Sequence, residues 1–198
     1  MSGDRAPDGQ SMTTTPAEAR DLMAALVNGD RAALAALIRL YGPGIRRYAA
    51  QALTIAADAE DVAQEVFLRA WRKAGSYDPD KGAVSTWLYR IAVNLCIDRN
   101  RRTGFRRFVG LDAAPEPEDD SPGAEAGLEA RQRLERTRRA IGGLPERQRR
   151  AILLRAAGDM GTAEIAATLG ISEGAAEQLL VRARGTLRRM LEREEEER

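Results

Sequence analysis

Between Val109 and Ala130 the chain carries Asp112, Glu116, Glu118, Asp119, Asp120, Glu125 and Glu129 among prolines and glycines, with no Lys or Arg. A stretch of that kind repels itself and has little apolar surface to bury, so it reads as a flexible acidic linker. It divides the 198 residues into two parts, each near the lower size limit for a self-sufficient core. On both sides Ala, Leu and Arg dominate, aromatic residues are only 5% of the chain, and β-branched runs are scarce, a mix that favours helices over sheets. The expected architecture is therefore all-α, with two small helical domains on a flexible acidic linker. Residues 1–16 form a disordered tail, 17–107 the first domain, 108–127 the linker, 128–192 the second domain and 193–198 a charged tail.

The inventory removes several chemistries. There is no histidine and a single cysteine, Cys96, so Cys/His zinc sites, histidine acid–base catalysis and an internal disulfide framework are all excluded. No activating base or phosphate-cradling glycine loop accompanies the plentiful Ser, Asp and Glu, and neither an enzyme nor a bound cofactor or metal is expected. Cys96 falls on an apolar helix face and reads as a buried filler. No apolar run approaches the roughly 20 residues of a membrane span, and the start lacks a signal-peptide core. The expectation is a soluble cytoplasmic protein without stable membrane insertion. Lys+Arg 31 against Asp+Glu 30 leaves a net charge of +1, so any attraction for nucleic acid must come from local segregation of charge.

Apolar residues recur at helical spacing from Ala17 to about Leu53, through Leu22, Leu26, Leu34, Leu37, Ile38, Tyr41, Ile45 and Tyr48. Breaks are expected at Asn28-Gly29-Asp30 and at Gly42-Pro43-Gly44. A further helix spans about Asp58 to Lys73, with Val62, Val66, Phe67, Ala70 and Trp71 on one face. Gly75 to Gly82 is a turn-rich loop, and a helix from Val84 to about Arg102 turns Trp87, Leu88, Ile91, Ala92, Leu95 and Cys96 inward. From residue 86 to 107 six arginines face Asp98 alone, a patch suited to a polyanion. Trp87 and Tyr89 are candidates for stacking on unpaired bases, although Trp87 shares the register of Ile91 and Leu95 and fits the core better.

In the second domain, Gly142-Gly143 ends one helix and Pro145 opens the next. The most informative stretch runs from Thr162 to Met190. Thr162 is a candidate cap for a short helix with Ile165, Ala166 and Leu169. Gly170 suits a left-handed helix end, Ile171 plugs the turn, and Ser172 caps the next helix. That helix repeats Ala176, Leu180, Ala183 and Leu187 as one buried stripe. Two helices joined by a glycine turn are the sequence form of a helix-turn-helix, whose second helix enters the major groove. Its outer side carries Ser172, Ala175, Glu177, Gln178, Arg182, Arg184 and Arg188, where arginines can neutralise phosphates and Gln178 can read a base edge.

Three segments together carry a resemblance. Ala59 to Lys73 (AEDVAQEVFLRAWRK) resembles the core-binding helix of region two in bacterial sigma factors, and Ser85 to Arg102 (STWLYRIAVNLCIDRNRR) resembles their promoter-melting helix. Leu144 to Arg155 (LPERQRRAILLR), with the helix-turn-helix behind it, resembles region four. The short linker between the two regions is similar to that of the extracytoplasmic-function group of sigma factors. The resemblance implies binding to core RNA polymerase (its beta-prime and beta subunits), with Asp61, Gln64, Glu65 and Arg69 gripping the beta-prime coiled coil. It implies that Arg90, Asn94, Asp98, Arg99, Arg101 and Arg102 meet the minus-ten strand of promoter DNA, with Asp80 and Lys81 in the loop that holds a flipped base. It implies that Ser172, Ala175, Glu177, Gln178, Arg182, Arg184 and Arg188 meet the minus-thirty-five element, and that a cognate anti-sigma factor covers the polymerase-binding surfaces.

The recognition helix departs from the family pattern. Glu177 stands where lysine is common, Leu179 where arginine is common, and Val181 where histidine is common, so either the minus-thirty-five sequence differs or the grip on DNA is weaker. The linker's acids are a candidate mimic of nucleic acid in the polymerase channel. Two other readings stay open on sequence grounds. A conventional helix-turn-helix regulator would bind duplex operators without polymerase, and a helical adaptor would not need Arg99, Arg101 and Arg102.

Overall fold

The computed structural model describes residues 15–108 and 135–196, and the acidic linker lies outside them. Helix α1 (Pro16–Val27) begins where the sequence supplies both halves of a capping box. The Thr15 hydroxyl accepts the Glu18 N–H at 3.3 Å, and the Thr15 N–H donates to the Glu18 carboxylate at 2.7 Å. Pro16 is the first helical residue, so the helix starts one residue inside the expected tail. Gly29 (φ +84°) turns the chain, and the Asp30 side chain caps α2 by accepting from the Ala32 N–H at 2.7 Å.

Helix α2 (Arg31–Ala52) runs unbroken through Gly42-Pro43-Gly44, where a break was expected. Proline costs about 3 kcal/mol in a helix interior. Burial of a large apolar side chain returns about 1.5–3 kcal/mol, and Leu37, Ile45 and Tyr48 on both sides of the proline are essentially inaccessible to solvent. A continuous buried face outweighs one local breaker.

Helix α3 (Ala59–Lys73) places Glu60 and Asp61 in its first turn and Arg72 and Lys73 in its last, matching its dipole, and buries Val62, Ala63, Val66, Phe67 and Ala70. Two short 3₁₀ turns, Ala74–Ser76 and Pro79–Lys81, carry the loop to α4 (Val84–Phe108). After the undescribed segment come α5 (helical over 135–142), α6 (Glu146–Gly158), α7 (Thr162–Leu169) and α8 (Glu173–Glu196). No strand occurs among the described residues, and none of the described helices is long and apolar enough to cross a membrane.

Three helix ends differ from the sequence expectation. Pro145 sits at the N-cap of α6, with Glu146 the first helical residue. Gly161, not Thr162, is the N-cap of α7, and its N–H donates to the Glu164 carboxylate at 2.9 Å. The Thr162 hydroxyl instead accepts from Arg155 at 2.9 Å, which ties α7 to α6. Helix α8 continues to Glu196, into the stretch expected as a charged tail.

The two halves are not held apart. Met23, Leu37, Ile45, Tyr48, Val66 and Leu88 of the first half form one continuous buried cluster with Leu154, Met160, Ile165 and Leu180 of the second. Helix α6 lies against α2 and α4, and α7 lies against α4. The contact is close because Gly44 and Gly158 have no side chain. A Cβ on Gly44 would collide with the Tyr89 hydroxyl and come within 2.8 Å of the Ala157 carbonyl oxygen, and one on Gly158 would reach Tyr89 Cζ at 2.9 Å.

Candidate polymerase and nucleic-acid surfaces

Amphipathic α2 and α3 pack side by side and leave an open groove of about 1090 Å³ between their outer edges. Leu34, Ile38, Phe67, Leu68 and Trp71 form its apolar wall, while Asp61, Gln64 and Glu65 make one rim and Arg39 and Arg46 the other. Ile38 and Leu68 each expose 41% of their surface, a large share for aliphatic side chains with a core close by. Three of the four residues expected at the polymerase surface thus border one groove. Arg69 stands outside it, and its Nε lies 2.7 Å from Glu65 Oε1 one helical turn away. Both partners are more than a third exposed, so the pair orients Glu65 more than it stabilises the fold. Sequence reasoning missed the apolar wall; the signal present was Leu34 and Ile38, which widen the α2 stripe beyond what one buried face needs.

On α4, Arg90, Asn94, Arg101 and Arg102 are exposed, and Asp98 is half-buried beside Arg101 at 3.4 Å. Arg99 has a structural partner: its guanidinium lies 2.9 Å from Asp58 and 3.5 Å from Asp61, joining α4 to the start of α3. Asp61 and Arg99, expected on different surfaces, therefore meet. Asn100, which drew no attention in the sequence, clamps the end of α2. Its side-chain carbonyl accepts from the Thr54 N–H at 2.8 Å and the Thr54 hydroxyl at 3.1 Å, and its amide donates to the Ala52 carbonyl at 2.8 Å.

Tyr89 is not available for base stacking here. It is 2% exposed, meets Tyr48 edge-on at 6.1 Å, and donates its hydroxyl to the Ala157 carbonyl of α6 at 3.1 Å. The covering surface comes from the second half of the chain, which local periodicity cannot reveal. Trp87 is half-buried edge-on to Tyr77 at 5.8 Å, in keeping with its core register.

The Gly75–Gly82 loop is braced by its own bonds. Asp78 accepts from the Asp80 N–H at 3.0 Å and pairs with Lys81 at 2.8 Å, and the Tyr77 hydroxyl donates to the Gly82 carbonyl at 3.1 Å. The Lys81 ammonium and the Asp80 amide hold the Asp78 carboxyl below the usual carboxylate range. The side chains of Asp80 and Lys81 project into solvent.

The helix-turn-helix has its expected local chemistry. Gly170 takes φ +67°, Ile171 packs on the core, and the Ser172 hydroxyl accepts from the Ala175 N–H at 3.3 Å. Ala176, Leu180 and Ala183 are buried, Leu187 is half-buried, and all seven expected DNA-facing residues are exposed. They occupy two flanks. Ala175, Gln178 and Arg182 border a crevice of about 390 Å³ shared with Arg147 and Arg150 of α6, while Glu177, Arg184 and Arg188 follow the neighbouring flank at helical spacing.

Comparison with known proteins agrees with this layout. The family described as Sigma-70 region 2 matches residues 37–106, and the family described as Sigma-70, region 4 matches residues 134–187. The chain is 36% identical over 151 residues to the ECF RNA polymerase sigma factor RpoE of Cereibacter sphaeroides, covering 73% of this chain and 78% of that one. It is 34% identical over 171 residues to the ECF RNA polymerase sigma factor SigM of Mycobacterium tuberculosis, covering 86% and 83%. The chain belongs to the extracytoplasmic-function sigma factors. In this sigma factor the region-two match takes in most of α2 through α4, and the region-four match takes in α5 to the greater part of α8. The solved structure of CnrH in complex with the cytosolic domain of CnrY aligns with it at TM-score 0.67 and 29% identity, covering 87% of this chain and 96% of that one. As a sigma factor, the protein serves the initiation of transcription.

Proposed function

We propose that this sigma factor binds core RNA polymerase through the α2–α3 groove, with the beta-prime coiled coil as occupant. It then opens the minus-ten segment with α4 and reads minus-thirty-five DNA with α8. The carrying observation is the groove itself, an apolar wall with Asp61, Gln64 and Glu65 on its rim, open on a surface where, among the described residues, the other exposed large apolar side chains (Val27, Phe105, Phe108 and Val181) line no groove of this kind. A helix of complementary shape gains apolar burial from the wall and orientation from the charged rim. Arg90, Asn94, Asp98, Arg101 and Arg102 supply the strand-facing side of α4, with Arg99 holding that helix in place. Asp80 and Lys81 stand beside the site for an extruded base. The sigma factor has no catalysis of its own and works in the cytoplasm. The solved relative CnrH is in complex with the cytosolic domain of CnrY, and a corresponding anti-sigma factor for this chain would cover the α2–α3 groove.

Reconstitution with sigma-free polymerase on genomic DNA, followed by mapping of start sites, tests the reading. The wild-type chain is expected to give discrete starts. Leu68→Glu, which places a charge in the apolar wall, is expected to lower polymerase affinity at least about 100-fold, since burying an unpaired charge costs several kcal/mol. Wild-type levels of transcription from Leu68→Glu would refute the assignment of the groove.

A further inference from the structure

We propose, resting on the reading of α4 as the strand-binding helix, that Phe105 and Phe108 stack on the duplex end where the unpaired promoter strand rejoins its complement. They would thereby hold the upstream edge of the opened DNA apart. Two of the chain's three phenylalanines stand in solvent at this end of α4, Phe105 65% and Phe108 88% exposed, whereas Phe67 is buried in the core. Among the described side chains from Arg101 to Phe108 only Thr103 is buried, so packing does not account for the two rings. Their register is the informative feature. Asn94, Asp98, Arg101, Phe105 and Phe108 follow one another at steps of four, three, four and three residues, which keeps them on one flank of the helix. The polar stripe assigned to the strand runs on into the two rings.

Charge and chain order identify the occupant. Arg101 and Arg102 are exposed beside the rings, the sequence adds Arg106 and Arg107, and Asp98, 3.4 Å from Arg101, is the one acid of α4. Cations in that number suit a phosphate backbone, and an aromatic ring among them adds a face on which any base can stack. A continuous duplex offers no bare base face, because each base is covered by its neighbours. A fork between paired and unpaired DNA offers one, at its last base pair. The Gly75–Gly82 loop, beside the site for an extruded base, adjoins the first turn of α4. The last turn leads through the acidic linker to region four, which reads DNA farther upstream. Phe105 and Phe108 are therefore placed at the upstream fork, where an apolar ring against the last step keeps the strands from closing.

Holoenzyme reconstituted from the full chain and sigma-free core polymerase, on a promoter found by start-site mapping, provides the test. The lifetime of the open complex under heparin challenge is compared on the native duplex and on a template premelted by mismatches over the minus-ten segment. Phe105 and Phe108 are changed together, to Ala, to Leu or to Tyr. Both side chains face solvent, so the thermal midpoint and the affinity for core polymerase are expected to stay at wild-type values. On the native duplex the Ala and Leu pairs are expected to shorten the lifetime about tenfold, the scale of one base stacked on an aromatic face, while the Tyr pair preserves it. On the premelted template all the variants are expected to match the wild type, because mismatched strands do not re-pair. The proposal is overturned if the Ala pair holds the native promoter as long as the wild type does, or if the premelted template leaves the loss as large. It is also overturned if the Leu pair performs as well as the Tyr pair, which would mark an apolar contact with polymerase in place of a base. Asn94→Ala tells the failures apart. A shortened lifetime for Asn94→Ala alone rejects only the role of the two rings, whereas wild-type lifetimes for it and for the Ala pair reject the strand-binding reading of α4 as well.

Discussion

Glu177 is an acid on a helix flank that otherwise carries arginines. It is exposed on the α8 flank that carries Arg184 and Arg188, the flank that the proposed reading of α8 turns towards a phosphate backbone. Glu177→Lys exchanges a repelling charge for an attracting one without touching the buried stripe. The duplex affinity of the full chain is expected to rise about tenfold at low salt, with a steeper dependence of log K on log salt by about one unit. A fluorescence anisotropy titration across salt concentrations measures both, and an unchanged slope would place Glu177 away from phosphate. At this scale legibility depended on how local the cause was. Ser172 and Gly170 were readable because their partners lie within a few residues. Tyr89 and Arg99 were not, since what engages them is contributed from as far away as Ala157 and Asp58.

Among the elements, α7 and α8 depend on the turn between them. Gly170 has open space around its missing side chain but a positive φ, so a substitution there is a purely conformational test. Gly170→Ala is expected to cost about 1–2 kcal/mol, the penalty of a left-handed residue with a Cβ. For a chain of this size that lowers the thermal midpoint by roughly 2–4 °C per kcal/mol, measurable by circular dichroism. A midpoint equal to wild type would show that the turn relaxes without cost. The helix-turn-helix was legible because caps, glycine and apolar stripe all indicate the same structure. Helix α2 was misread at Pro43 because proline is a local signal, and the burial of Leu37, Ile45 and Tyr48 that overrides it is tertiary. The α2–α3 groove was only half legible for a related reason: Leu34 and Ile38 widen the α2 stripe, but Leu68 and Trp71 complete the wall from a second helix whose place beside α2 is tertiary.

For the molecule as a whole, the shared core sets the response to alkali. Burial pushes the Cys96 thiol up from 9.0 to about 12 and the Tyr41 phenol up from 10.0 to about 12, and it raises Tyr48 and Tyr89 as well. Above about pH 9 the unfolded chain releases these protons first, so the native state binds more protons and stability falls as pH rises. Denaturant midpoints are expected to stay level on this account up to about pH 9 and to decline from there towards pH 12. Midpoints unchanged across that upper range would mean that these groups are wetter than their burial implies. The all-helical fold in two parts could be read from composition and periodicity, but the docking of one part on the other could not, because no repeat or motif encodes a contact between α4 and α7. One consequence concerns α2, which lines the groove with Ile38 and Gly42 along one flank and receives α6 at Gly44 and Arg47 along the opposite flank. Genetic selections that recover lesions in this helix will mix two phenotypes. Only alleles sorted by flank, Ile38 against Arg47 for instance, will report on a single event.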